Sequence, residues 1–212
     1  MLRRCIPLIL VVLLCSLLYA DDTDTRALDL CRKTSQEFKD RMSGLLHDTI
    51  LSDGILGAID ACATGAEKLS TELSREPGLR IERVTQLSLR ELKRGNSFEN
   101  KSLSAMIDSA EAGMPVPEEN HEWIETSKTE RKLVYVVPLK INPVCLACHG
   151  PAPMVQPDVR TVMQTKYHAL PSGNKIGDVK GALVVTLELP AGQSLLKEME
   201  SKEKTEAPSQ NE

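Results

Sequence analysis

The chain has 212 residues, 41% hydrophobic and 26% charged, a balance that excludes both wholesale disorder and a multi-span membrane protein. A formal net charge of −4 and a pI near 5.7 argue against a phosphate-binding surface, so nucleic acid is not an expected partner. Aromatic residues make up only 3%, and a core built from Leu, Ile, Val and Ala leaves a place for a large flat apolar body, which a bound cofactor supplies.

Residues 1–20 read as a secretory signal peptide. Arg3 and Arg4 form a basic start, Cys5 to Ala20 is almost unbroken apolar sequence, and Asp21, Asp22 and Asp24 end it abruptly, placing cleavage near Ala20. Leu14, standing before Cys15, does not suit a lipoprotein signal, and the stretch is short for a retained membrane span. A membrane association is expected only if the segment stays uncleaved. Two basic and no acidic residues leave with it, taking the net charge from −4 to −6. Four cysteines remain, Cys31, Cys62, Cys145 and Cys148, which an exported protein would ordinarily pair as disulfides.

The segment from Asp22 to about Ser74 contains no Pro and carries apolar residues at helical spacing. Ala27, Cys31, Phe38, Met42 and Leu45 share one stripe, and Leu51, Ile55, Ile59, Cys62, Ala66 and Leu69 make a second. One long helix, or two broken near Ser52–Gly54, fits this pattern, with Gly54 and Gly57 read as sites of close approach. Glu76-Pro77-Gly78 ends it. Arg80–Val84 alternates as a strand, and Ser102–Ala112 reads as a helix stopped by Gly113 and Pro115. His121–Thr126 and Lys132–Leu139 read as two strands joined by a polar turn. Asn142–Asp178 is read as loop, and Val179–Leu189 as the central strand. The expected fold domain is 22–192, an α+β arrangement of a long helix on a small antiparallel sheet, followed by a charged, disordered tail over 193–212.

Within the loop, residues 145–149 read Cys-Leu-Ala-Cys-His. In a C-x-x-C-H motif two thiols add across the vinyl groups of haem while the adjacent imidazole supplies an axial nitrogen to iron. Chance would produce such a match about 0.003 times in a chain of this composition and length. Covalent attachment of this kind takes place outside the cytoplasm, in agreement with the leader. A redox-active C-x-x-C sits where a strand enters a helix, whereas Pro143 precedes this one and Gly150-Pro151 closes it. A zinc ribbon needs a second ligand pair, and Cys31 and Cys62 are isolated from each other. One covalent haem c, on Cys145, Cys148 and His149, is the reading.

For the sixth iron ligand the residues leave several candidates. Cys62 lies on the apolar stripe between Ile59 and Ala66, either as a thiolate ligand or as a small packed hydrophobe. Cys31 competes, as ligand, as partner of Cys62, or as a free thiol. Met42, Met106, Met154 and Met163 are conceivable thioether ligands, and His47, His121 and His168 read as surface residues.

Three blocks in order, Gly-Ala-Ile-Asp-Ala-Cys at 57–62, Val-Pro-Leu-Lys-Ile-Asn-Pro-Val-Cys-Leu-Ala-Cys-His-Gly at 137–150 and Gly-Asp-Val-Lys-Gly-Ala-Leu-Val-Val-Thr at 177–186, resemble a family of small exported monohaem c-type proteins with a PAS-like fold. That family was long catalogued as a domain of unknown function and also occurs as the extracytoplasmic sensing part of bacterial signalling proteins. The resemblance covers roughly residues 25–190. It implies a PAS-like antiparallel sheet preceded by a long helix and iron held by an unusual His149/Cys62 pair, while the leader implies a periplasmic location. Residues 81–90 are similar to the family's stretch, but Lys93-Arg94-Gly95-Asn96 departs from the Arg-Asn-Pro usual after it.

With both axial positions filled, gas reaches iron only if a ligand leaves, and a thiolate favours the ferric state. Two functions follow: a redox or gas sensor acting through a partner protein, and a low-potential electron-transfer cytochrome. No distal acid/base pair can be named, so a catalyst is not expected. Dimerisation through the long helix is left open by the residues.

Overall fold

The computed structural model describes residues 6–85 and 97–206. Helix α1 spans Ile6–Asp60, a π-helical turn covers Ala61–Gly65, and α2 follows over Ala66–Leu73. Of the two forms the helical spacing allows, the chain takes the broken one. Gly54 has φ 71° and ψ −170°, a combination that side chains resist, so two helical stretches meet there at a kink. A Cβ on Gly54 would meet nothing within 4 Å. The glycine therefore serves backbone geometry rather than the close approach expected of it.

Strand β1 is Leu79–Thr85, α3 is Phe98–Glu111, β2 is Asn120–Glu125 and β3 is Arg131–Lys140. The segment read as loop contains a short helix α4, Leu146–His149, between two 3-10 turns, and a longer α5, Pro157–Tyr167. Strand β4, Val179–Leu189, and helix α6, Gln193–Glu206, complete the order. The four strands form one antiparallel sheet in the order β1-β4-β3-β2, so β4 is indeed internal. This is the expected α+β architecture, a long helix on an antiparallel, PAS-like sheet.

Alternation along the strands fills two layers. Leu133, Tyr135 and Val137 of β3 and Leu183, Val185 and Leu187 of β4 face Ala27, Cys31 and Phe38 of α1, with Ala66 and Leu69 of α2. Their neighbours Val134, Val136, Ala182 and Val184 face Leu103, Met106 and Ile107 of α3. Burial on both faces explains why β4 is a continuous apolar run rather than an alternating one.

The tail needs correction. From 193 the sequence pattern gives a charged, disordered end, yet the chain is helical to Glu206 because Leu196, 3% exposed, and Leu195 pack against the α1 side of the sheet. The part of the 81–90 similarity beyond Thr85, and the departure at 93–96, lie outside the described residues.

Candidate cofactor site

The excursion between β3 and β4 is pinned at its base. Ile141 N donates to Asp178 O at 2.8 Å, and Gly177 N donates to Ile141 O at 2.9 Å. Asn142 then caps the turn Pro143–Cys145: its side-chain oxygen accepts from Cys145 N at 3.3 Å and from Cys145 Sγ at 3.1 Å. Pro143 occupies the first turn, where a missing N–H costs nothing. Cys148 and His149 follow within the single turn of α4, and Asn174 N donates to His149 O at 2.9 Å. Local capping and the returning chain thus fix the Cys-x-x-Cys-His backbone.

These residues border a cavity of about 370 Å³, within the range of small-molecule sites. Its walls are largely apolar, with Leu46, Ile50, Ile55 and Ile59 from both sides of the α1 kink and Met163 and Ala169 from the far side. Cys62, Cys145, Cys148 and His149 all line it. Gly181 forms part of its floor, where a Cβ would come 2.4 Å from Val84 O on the neighbouring strand. A wider groove of about 620 Å³ lies against α1 and β3, but it is polar, lined by Arg32, Lys39, Glu118, Glu119 and Tyr135, and holds none of the candidate residues. Chemistry rather than size places the site in the smaller cavity.

Among the alternatives for a sixth ligand, the cavity admits two. Cys62, in the π-helical turn, and Met163, on α5, line it. Cys31 is fully buried in the sheet core and is not a lining residue; desolvation pushes its thiol up to about 12. Met42 packs against the same core, Met106 is buried on α3 against the opposite face of the sheet, and Met154 is 73% exposed. His47, His121 and His168 are likewise outside the lining. All four described cysteines are free thiols.

The electrostatics suit a large cofactor with thiol and imidazole attachment. Burial, followed by the charges of Lys180 and Arg83, lowers the His149 imidazole to about 4. It is therefore neutral at pH 7, the form that donates a lone pair to a metal. Among the described residues its ring has no hydrogen-bond partner. Desolvation raises Cys148 to about 11, and the Cys62 thiol is also raised, chiefly by burial and against the opposing charge of Arg83. Among the described residues no three His, Cys, Asp or Glu side chains converge tightly enough to hold a bare metal ion. The four candidates surround a volume, which fits a disc-shaped cofactor carrying its own metal.

Three further residues escaped sequence reasoning. Arg83 lies on β1 and Lys180 on β4, and both line the cavity. Arg83 was legible as a charge at the inward-facing position that follows Leu79 and Ile81. Asp60, at the end of α1, accepts from Lys166 Nζ at 2.7 Å and from the Tyr167 hydroxyl, tying the helix that leads to Cys62 onto α5. Both its partners lie in a helix that the sequence pattern left as loop.

A family model described as Tll0287-like matches residues 20–188 of the chain. Among solved structures, the fold is similar to that of the cyanobacterial haem protein Tll0287, with a TM-score of 0.52 and 19% identity over 77% of this chain and 96% of that one. No curated protein matches the sequence.

Proposed function

The chain belongs to the Tll0287-like family, and from that premise we propose that it is an exported c-type haem protein that senses redox state or a diatomic gas and signals through a partner. The observation that carries this reading is the meeting of Cys62, Cys145, Cys148 and His149 around one apolar cavity, although Cys62 lies more than eighty residues from the motif. The fold-level neighbour bears the description haem protein, which supports the same cofactor here.

When bound, the haem supplies a one-electron ferric/ferrous couple. In this reading Cys145 and Cys148 would hold it by thioether bonds, each from addition of S–H across a vinyl group. His149 would offer a neutral imidazole to the iron. Cys62 would offer its sulfur, from a π-helical turn that follows the Gly54 kink, so its side chain is carried by a non-standard helical segment. Burial favours the neutral thiol of Cys62 over its thiolate, and were this residue not to hold the iron of a bound haem, the cavity would leave a place for carbon monoxide or nitric oxide.

Electron transfer is the second reading, favoured by the half-buried, surface-reaching placement of Cys145, Cys148 and His149. Ferric and ferrous absorption spectra, with and without carbon monoxide, separate the two. Sensing predicts a thiolate-type low-spin ferric spectrum, lost in Cys62→Ala, and a ferrous form that binds carbon monoxide. A ferrous spectrum unchanged by carbon monoxide favours the carrier. If Cys62→Ala leaves the ferric spectrum unchanged, Cys62 is not the ligand and Met163→Leu becomes the informative variant.

A further inference from the structure

We propose that Arg83 and Lys180 bind the two propionate carboxylates of the haem, an inference that rests on the haem reading of the cavity. The two cations sit on neighbouring strands near one end of the sheet, where Thr85 pairs with Gly181. Strand β3 pairs Leu139 with Gly181 and then Lys140 with Val179, so Lys180 is the extra residue of a bulge. Bulges re-aim side chains, and this one places Lys180 on the cavity.

Their present partners are weak ones for charged groups. Arg83 Nη1 donates to Cys62 O at 3.2 Å, and Lys180 Nζ donates to Ser172 Oγ at 2.9 Å. Among the described residues neither meets a carboxylate in an ion pair. Lys180 is only partly exposed, and desolvation lowers its ammonium pKa, so a neutral hydroxyl leaves its burial poorly compensated. Arg83 is exposed and stands at the mouth. A third cation, Lys140, also lines the cavity, but its Nζ is held by Glu118 Oε1 at 2.8 Å, so Arg83 and Lys180 are the two lining cations without a carboxylate among the described residues. An apolar macrocycle with two carboxylates on one edge matches this division: thiols for the vinyl edge, aliphatic walls for the ring, and two unpaired cations for two anions.

The test uses the holoprotein with covalent haem, comparing wild type with Arg83→Gln, Lys180→Gln, the double variant, and Lys101→Gln, an exposed residue of α3, as control. Resonance Raman propionate bending modes report hydrogen bonding to the carboxylates directly, and redox titration reports the lost charge. Both single variants are expected to shift the propionate modes. Each is also expected to raise the ferric-to-ferrous ratio about tenfold at a fixed ambient potential, a fall of about 59 mV for a one-electron couple. The control should change neither. Should a Gln variant fail to fold, Arg83→Lys and Lys180→Arg keep the charge: the modes should still shift while the potential holds.

A haem-loaded double variant with unmoved propionate modes overturns the proposal and leaves the haem reading standing, even if the potential falls. In that case the charges act through space on iron or Cys62. Wild-type protein without covalent haem overturns the reading beneath it.

Discussion

The sheet core and the cavity are walled by the same small set of aliphatic side chains, yet one is filled and the other is open. On the sheet, Leu133, Val136, Leu183, Val185 and Leu187 are fully buried between α1 and α3. Around the cavity, Ile59, Val155, Val159 and Met163 form a closed cluster, but Ile55, Cys148, Val162 and Tyr167 against it remain partly exposed. The first region needs few aromatics, Phe38 and Tyr135 with Trp123 at its edge, because strand alternation interlocks branched residues. The second has no such lattice. Its walls come from a kinked helix, a bulged strand and a capped excursion, and a flat cofactor completes them where side chains do not.

That contrast predicts a graded response to substitution. Leu183→Ala, in the filled region, is expected to cost about 3 kcal/mol in denaturant unfolding, whether or not cofactor is bound. A loss below about 1 kcal/mol would show that this region is not tightly packed. Gly54→Ala should cost roughly 1–3 kcal/mol, because the residue must keep φ near 71° or straighten the helix that carries Ile59 and Cys62. An unchanged melting temperature would remove the kink from the account. Met163→Ala is expected to cost less than about 2 kcal/mol in a haem-free Cys145→Ser/Cys148→Ser background, since it enlarges space already open. A cost equal to that of Leu183→Ala would erase the distinction between the regions.

The smallest effect belongs to Asp60→Asn. Lys166 and Tyr167 hold the Asp60 carboxyl below its usual range. A depressed acid stabilises the fold above its unfolded pKa, and that contribution is lost as pH falls through the folded one. Wild type should therefore lose slightly more thermal stability than Asp60→Asn on acidification below about pH 5, and parallel profiles would show that the tie carries no stability.

What could be read without coordinates follows the same division. Strands β1 to β4 and the stripe Ala27–Cys31–Phe38 were legible because burial imposes period 2 or 3.6 on the apolar residues. The Cys145–Cys148–His149 spacing is chemistry written in consecutive residues. Helix α5 was not legible: its apolar face is the short set Val159, Val162, Met163 and Tyr167, and the Pro- and Gly-rich flanks suggest loop. Its start nevertheless carries Pro157 at the first helical position and Asp158 in the first turn. The π-helical turn around Cys62 and the bulge at Lys180 leave no periodic trace, because each breaks a local pattern to serve the cavity. Helix α6 was hidden by its charge, since Leu195 and Leu196 are its apolar anchors in the sheet core, joined by the Arg26–Glu200 ion pair to α1.

The most direct test of the account is the mass and absorption spectrum of the full chain produced with a c-type haem maturation system. The account predicts a mass increase of one haem, retained on denaturation and confined to the peptide holding residues 145–149. It also predicts a spectrum that Cys62→Ala alters without releasing the haem. A chain that emerges without haem, or loses it to acidified solvent, would contradict the central claim.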